Sequence, residues 1–223
     1  MPLTEQTRVQ AREIIARYPQ PRSALLPMLH LVQSEEGYVT PEGVALCAEE
    51  LGLTKAEVGA VVTFYTMYKR RPTGKYLVSV CTNTLCGVLG GDEIFATLSD
   101  HLDVGHNETS EDGIITLEHA ECLAACDYAP VITVNYEFYD NQTPESAYDV
   151  VRGLETGDPP QPTRGARLCT FREVERLLAG FGDPRPGAVA EGPAGEPTLA
   201  GLRLAGKRAE SAPASRTRAK GGK

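Results

Sequence analysis

Two short cysteine pairs place the strongest constraint on how this chain can fold. Four residues separate Cys81 from Cys86, three separate Cys122 from Cys126, and residues 87–121 lie between the pairs. The N-terminus lacks the apolar core of a signal peptide, so we expect a reducing compartment for the six cysteines of the chain. Metal binding or redox chemistry is therefore expected rather than a disulfide framework. A fold that uses both pairs together must bring two distant loops to one place.

Residues 1–72 show the apolar periodicity of a small helical bundle. The spacing predicts one helix that runs to Tyr18, a second capped by Ser23, a third that opens at Thr40 and a fourth that opens with a capping box at Thr54. The expected buried positions are Ala11, Ile14, Ile15 and Tyr18, then Leu25, Met28, Leu29 and Val32, then Val44, Cys47, Ala48 and Leu51, and last Val58, Val61, Val62 and Tyr65.

From residue 73 onward the pattern alternates between strands and helices. Strands are predicted over 76–81, 114–119 and 131–139, and helices over 92–102 and 143–157. This order predicts a compact α/β sandwich with a mixed sheet. The predicted fold class is α+β, with a helical bundle at 1–72, a thioredoxin-like domain at 73–160, a short peripheral helix at 161–180 and a flexible tail at 181–223.

Charge and composition narrow the range of functions. The net charge of -8 makes nucleic acid an unlikely partner, and no apolar run is long enough to cross a bilayer. Residues 181–223 contain 22 Gly, Pro and Ala among 43 and carry a net charge of +4, so we expect a disordered tail. That tail is either a solubilising extension or an arm that lies on an acidic partner or an anionic membrane surface.

The tail also contains a sequence that matches a phosphate-binding loop. Gly201–Lys207 fits the spacing, but Arg208 follows where Ser or Thr is required, and no predicted strand precedes it. We therefore reject it as a nucleotide site.

Four thiolates select zinc or an iron-sulfur cluster. The observed spacings are permitted for zinc, although a two-residue spacing is commoner there. Leu89 excludes the plant-type [2Fe-2S] pattern, the lack of histidine within the pairs excludes a Rieske centre, and no C-x-x-C motif supports a thiol-disulfide enzyme. Small residues near the cysteines favour an iron-sulfur cluster over zinc, because they let backbone N–H groups approach the sulfur atoms. They are Thr82, Thr84, Gly87, Gly90, Gly91, Ala124 and Ala125, of which Gly90 and Gly91 could equally serve a tight turn.

The segments around the cysteines resemble a known family. Val62-Thr-Phe-Tyr-Thr-Met-Tyr68, the pair Cys81 and Cys86, the segment Glu121-Cys-Leu-Ala-Ala-Cys126 and Ala129-Pro-Val131 are similar to the thioredoxin-like [2Fe-2S] subunits of respiratory NADH:quinone oxidoreductase. The resemblance covers residues 5–160, approximately. It implies a non-catalytic, electron-carrying subunit of a proton-translocating oxidoreductase, in which Cys81, Cys86, Cys122 and Cys126 ligate a [2Fe-2S] cluster.

The same resemblance implies where the other cofactors and partners are. FMN and NADH are expected on a flavin- and NADH-binding partner subunit, and a larger iron-sulfur subunit is the second expected partner. The chain has no G-x-G-x-x-G motif of its own. The expected location is cytoplasmic, on the inner face of the cell membrane, with no direct membrane span.

Two alternative functions remain open at this point. The chain could be the corresponding diaphorase subunit of a soluble NAD-linked hydrogenase or formate dehydrogenase, or a zinc-stabilised interaction module. Cys47 and Cys169 are expected to have packing roles. His119 is expected either to donate a hydrogen bond near the cluster or to be solvated, and Tyr65 and Tyr68 to lie at a surface or interface, with the core as the alternative.

Overall fold

The computed structural model describes residues 3–186 together with residues 200, 203, 204 and 206. Contacts group Met1–Ala190 into one compact unit and Glu191–Lys223 into a second. Most of the predicted disordered tail, and most of the rejected phosphate-loop match, lie outside the described residues. No helix in the described part of the chain has both the length and the apolar character needed to cross a membrane.

The N-terminal helices begin and end at local signals. They are α1 (Glu5–Ile15), α2 (Leu25–Glu36), α3 (Pro41–Leu51) and α4 (Lys55–Phe64). Thr40 caps α3 by accepting a hydrogen bond from the Gly43 N–H, and Thr54 forms a reciprocal capping box with Glu57 at α4. Both predicted helix starts are therefore confirmed.

Three details of the predicted helices are wrong. Ser23 caps nothing, because it lies inside a 3-10 turn, Pro21–Ala24, that precedes α2. Tyr18 lies beyond the end of α1 and is exposed, and Ile15 and Val61 are half-buried rather than buried. Leu46, which was not predicted, is buried in place of the half-buried Val44 and Leu51. In each case the true helix end or rotation differs from the one that the apolar spacing indicated.

The sheet is mixed, as predicted. Its strands are β1 (Tyr76–Cys81), β2 (Glu108–Thr109), β3 (Ile115–Ala120), β4 (Ile132–Val134) and β5 (Glu137–Tyr139), in the spatial order β2-β3-β1-β4-β5. The central strand β1 is parallel to β3 and antiparallel to β4. The single strand predicted over 131–139 is instead the hairpin of β4 and β5, which turns at Asn135 and Tyr136 with φ of 47° and 68°. Positive φ at two successive residues is what a two-residue hairpin turn requires.

The two faces of the sheet differ in chemistry. The helices α6 (Gly91–Leu102) and α7 (Pro144–Thr156) pack on the apolar face, where the buried side chains are Tyr76, Val78, Val80, Ile115, Leu117, Ile132 and Val134. Alternation along the strands places polar side chains on the other face, which are Ser79, Thr116, Glu118 and Thr133. This polar face lies towards the segment that follows α4. A short helix between β1 and α6, α5 (Thr84–Val88), was not predicted.

The helix α8 (Phe171–Leu178) connects the sheet to the bundle. Phe171 is buried against Leu77 of β1, and Glu175 is fully buried against α2. The Glu175 carboxylate is 2.6 Å from His30 Nδ1 and accepts hydrogen bonds from Gln33 Nε2 at 2.7 Å and from the Tyr136 hydroxyl at 3.2 Å. Polar contacts thus hold α8 to both the bundle and the sheet.

Candidate metal centre

The four predicted cysteines lie at or just beyond the ends of two strands, at one edge of the sheet. Cys81 is the last residue of β1, Cys86 is in α5, and Cys122 and Cys126 are in the segment that follows β3. Because β1 and β3 are parallel and Cys81 pairs in register with Ala120, both strands end at the same edge. The register of two parallel strands is therefore what brings the two cysteine pairs together.

The sulfur atoms are close enough to influence one another. Cys122 Sγ and Cys126 Sγ are 3.9 Å apart, and a hydrogen bond between them raises the pKa of Cys126. Burial and the neighbouring Cys81 thiol raise the pKa of Cys86 to about 11, and Cys126 interacts electrostatically with both thiols of the other pair. Thiolates packed in this way repel each other, so a cation that neutralises them stabilises the site.

Burial differs sharply between the two pairs. Cys81 and Cys86 are 2% and 1% exposed and pack against Ala125, whereas Cys122 and Cys126 are exposed. Among the described residues, no three His, Cys, Asp or Glu side chains surround one point closely enough to hold a single metal ion. The structure brings together two pairs of sulfurs, one inside the protein and one at its surface.

Small residues allow the backbone to pack against this site. A Cβ on Gly91 would lie 2.4 Å from the Cys81 carbonyl oxygen and 2.9 Å from that of Cys86, which leaves room only for glycine. Gly90 has a φ of 110°, so it serves the turn into α6. Ala124, also at positive φ, donates its N–H to Cys122 Sγ at 3.3 Å. The prediction that small residues admit N–H groups to sulfur is confirmed at Ala124.

A second N–H contact occurs at the buried pair. The backbone N–H of Val131 hydrogen-bonds to the Cys86 thiol and so lowers its pKa, against the larger effect of burial. Hydrogen bonds to sulfur favour the charged form and are one of the factors that set the potential of an iron-sulfur cluster. The donor set and its backbone contacts therefore fit a thiolate-ligated cluster.

Arg164 braces the loop that carries Cys126. Its guanidinium lies over the rings of Tyr128 and Phe138, with ring centroids 5.0 and 4.3 Å away, and pairs with both oxygens of Asp140 at 2.7 and 2.9 Å. Tyr128 closes the 3-10 turn that Cys126 opens. Sequence reasoning missed Arg164, because no spacing or motif connects it with a cysteine 38 positions earlier.

The remaining predicted residues lie elsewhere. Cys47 is fully buried, which raises its pKa to about 12 and confirms its packing role; the pKa of the half-buried Cys169 is raised to about 11 for the same reason. His119 makes no described hydrogen bond to a cysteine, and its ring packs on that of His106 at 4.0 Å. Tyr65 is at the surface, whereas Tyr68 belongs to the core and donates its hydroxyl proton to the Leu26 carbonyl.

Comparison with known proteins identifies the family. A model of the thioredoxin-like [2Fe-2S] ferredoxin family matches residues 11–155, which is well over half of the chain. The chain belongs to this family. It therefore carries the family's cofactor type, a [2Fe-2S] cluster, and the predicted α+β fold class with a thioredoxin-like domain is confirmed.

Individual relatives agree with the family match. A subunit of the NADH-quinone oxidoreductase of Mycobacterium tuberculosis is 62% identical over 92% of this chain and 81% of its own length. A subunit of the same kind of enzyme from Thermus thermophilus is 40% identical over 57% of this chain and 71% of its own length. The structure of a NAD+-reducing [NiFe]-hydrogenase covers 60% of this chain and 22% of its own with a TM-score of 0.54, but at 16% identity this likeness shows the fold alone.

Proposed function

We propose that this chain is the electron-carrying [2Fe-2S] subunit of an NADH:quinone oxidoreductase, with Cys81, Cys86, Cys122 and Cys126 as the cluster ligands. The observation that carries the proposal is the meeting of the two cysteine pairs at the shared end of β1 and β3. The 62% identity to a subunit of the mycobacterial NADH-quinone oxidoreductase supports the choice of parent complex. The chain contributes to an oxidoreductase without catalysing a reaction by itself.

Each group near the site has a role that electron transfer requires. When bound, the cluster takes up and releases one electron at a time, without needing a catalytic acid, base or nucleophile. Cys81 and Cys86 would hold the cluster from the protein interior, where Ala125 and Val131 are buried beside them. The N–H groups of Ala124 and Val131 offset the negative charge on the sulfurs. Cys122 and Cys126, which are exposed, would hold it at a surface that a redox partner can reach.

An apolar surface beside the site fits a partner subunit. Leu85, Val88 and Leu89, which flank Cys86, are 42%, 80% and 52% exposed. Adjoining apolar side chains at the surface of a soluble protein mark interaction sites. The proposed partners are a flavin- and NADH-binding subunit, which supplies FMN and NADH, and a larger iron-sulfur subunit. The complex would place this chain on the cytoplasmic, inner face of the cell membrane.

The second candidate function is that of a diaphorase subunit in a NAD-linked hydrogenase. The shared fold with the NAD+-reducing [NiFe]-hydrogenase supports it, but only at 16% identity. The much higher identity to an NADH-quinone oxidoreductase subunit favours the respiratory enzyme. The zinc-stabilised module is disfavoured by membership of an iron-sulfur family.

The ligand assignment is tested by metal analysis of the full-length chain and its variants, purified without oxygen. We expect two irons and two acid-labile sulfides per chain and a spin-half EPR signal after reduction with dithionite. Cys86→Ser and Cys122→Ser should lose or strongly alter this signal, whereas the matched controls Cys169→Ser and Cys47→Ala should keep it. One zinc per chain without visible absorbance would overturn the proposed function, and an unchanged spectrum in both ligand variants would remove the ligand assignment.

A further inference from the structure

A groove separates the segment that follows α4 from the polar face of the sheet. Its volume is about 870 Å³, and its lining includes Cys122 and Leu123. On its floor, Lys69 forms an ion pair with Glu118, whose other oxygen accepts a hydrogen bond from Ser79 at 2.7 Å. The charges of the floor are thus satisfied within the chain, so any charge that attracts a partner must lie at the rim.

Two adjacent arginines at that rim have no carboxylate of the described chain as an ion-pair partner. Arg70 and Arg71 are exposed and line the groove, and neither forms an ion pair with a residue that the structure describes. Residues 1–180 contain 14 Lys and Arg against 26 Asp and Glu, so carboxylates are abundant. Seven of the ten other arginines between residues 3 and 186 form ion pairs with them, namely Arg8, Arg12, Arg22, Arg152, Arg164, Arg176 and Arg185, whereas Arg17, Arg167 and Arg172 do not. What sets Arg70 and Arg71 apart is that they are adjacent and line the groove, where Glu121 is the one other charged lining residue outside the Lys69–Glu118 pair. The groove therefore carries a positive excess on an otherwise acidic body, which suits a negatively charged group outside the chain.

Two exposed aromatic rings lie at the end of α4, where Tyr65 lines the groove and Phe64 packs against Tyr65 outside it. Phe64 is 77% exposed and Tyr65 is 40% exposed, and their rings meet edge to face at 4.9 Å. We call Phe64, Tyr65, Arg70 and Arg71 the rim patch. Aromatic residues and arginine are the residue types that are enriched at the energetically important centres of protein interfaces. A phenylalanine exposed to this degree is explained if another protein covers it.

We propose that the rim patch and the groove bind an acidic segment of the flavin-carrying partner subunit. This inference rests on the proposed function, and it adds the surface and the chemistry by which the partner is recognised. The groove is continuous with Cys122, so a segment bound there brings its subunit against the exposed side of the cluster site. Carboxylates of the segment pair with Arg70 and Arg71, and an apolar side chain covers Phe64 and Tyr65.

Charge reversal tests the proposal. The full-length, cluster-loaded chain is titrated with the purified flavin- and NADH-binding subunit of the same complex, and association and dissociation rates are measured at several salt concentrations. Arg70→Glu combined with Arg71→Glu should weaken binding by about tenfold or more, mainly through slower association, and should flatten its salt dependence. Phe64→Ala should instead speed dissociation. Arg70→Lys with Arg71→Lys should retain most of the affinity, because the charge is kept.

A matched control separates a docking surface from a general charge effect. Arg167 and Arg172 are also exposed and form no ion pair with described residues, but they do not line the groove. Arg167→Glu with Arg172→Glu changes the net charge equally and should leave binding within about twofold of the unmodified chain. Equal weakening by both double variants, or by neither, would overturn the proposal.

Two further readouts distinguish other occupants and the failure of the proposed function. The chain alone could dimerise as its concentration rises, and if the reversal of Arg70 and Arg71 abolishes this dimer, the patch binds a second copy. If inorganic phosphate binds there saturably, the patch binds a small anion. Either result would overturn the proposal. Iron content and the EPR signal are recorded for every variant. A normal EPR signal, together with partner binding that the charge reversal does not change, rejects only the docking surface. A chain that never holds the cluster rejects the proposed function.

Discussion

Gly91 lies where the first turn of α6 meets the short helix α5, which carries Cys86. The carbonyl oxygens of Cys81 and Cys86 leave no room for a side chain at this position, because they belong to the backbone and cannot rotate away. Gly59, in the middle of α4, is the opposite case, because a Cβ there would meet nothing within 4 Å. The two helical glycines thus differ in their surroundings, which makes them a matched pair for mutation.

The substitution Gly91→Ala is expected to destabilise the protein and to reduce its iron content. The added methyl group forces α6 away from the backbone of Cys81 and Cys86, and overpacking of this kind costs about 1–3 kcal/mol. Gly59→Ala should instead stabilise by about 1 kcal/mol, because alanine is the better helix former. Urea denaturation and iron analysis check both variants. A Gly91→Ala protein with the stability and iron content of the unmodified chain would show that the close packing at Gly91 does not position Cys81 and Cys86.

At the scale of elements, α8 is distinctive because it lies beyond residues 11–155, which the family model matches. Its Glu175 side chain is fully buried, yet it is surrounded by partners from two elements, His30 and Gln33 of α2 and Tyr136 of the hairpin turn. A buried carboxylate is tolerated only with such partners. The contact fixes the position of α8 between the bundle and the sheet.

Replacement of Glu175 by alanine is therefore expected to cost about 3–5 kcal/mol. The variant leaves the polar atoms of His30, Gln33 and Tyr136 without their shared acceptor in a site that water does not reach. Arg172→Ala, an exposed position on the same helix, should change the free energy of unfolding by less than about 0.5 kcal/mol. Chemical denaturation measures both values. Similar values for the two variants would mean that α8 contributes little to the fold through this contact.

The elements that sequence alone could predict are those with local signals. Thr40 and Thr54 mark the starts of α3 and α4 by their own hydrogen bonds, and the apolar run of β1 matches the observed strand without error. The short helix α5 and the division of residues 131–139 into a hairpin depend on contacts with other parts of the chain. Asn135 illustrates this: its side chain bonds to the Leu77 N–H and to the Cys169 carbonyl, both distant in sequence.

The candidate site shows the same division between local and distant information. Cysteine spacing and loop composition were sufficient to predict the four residues that the structure brings to one sheet edge. Neither could indicate Arg164 or the unpaired arginines of the rim patch, because those features exist only relative to neighbours in space.

At the scale of the whole molecule, the acidic compact unit is followed by a basic C-terminal segment. Residues 1–180 carry a net charge of -12 and residues 181–223 a net charge of +4. The first residues of that segment belong to the fold: Phe181 packs against the bundle core and lies beneath the guanidinium groups of Arg17 and Arg176, and Arg185 pairs with Asp183 and Glu137. The packed part of the chain therefore extends a few residues past position 180, at which the change in composition occurs.

Two truncations separate the folded part of this segment from the rest. A chain that ends at Pro186 keeps Phe181 and Arg185, and we expect its unfolding free energy and its cluster content to equal those of the full chain. A chain that ends at Gly180 loses the aromatic ring between two arginines and leaves Glu137 without its cation. Burial raises the pKa of Glu137 while Arg185 opposes that rise, so loss of Arg185 should leave the carboxylate harder to ionise.

The pH dependence of the shorter chain follows from this change. If the pKa of Glu137 in the folded protein rises further above its unfolded value, the unfolded state binds fewer protons than the folded state in the window above pH 4.5. The contribution of Glu137 to stability then falls as the pH rises through the folded pKa. Denaturation of both truncated chains between about pH 4.5 and 7 should therefore show a stability difference that grows with pH. A difference that is constant across this range would mean that the loss comes from Phe181 alone.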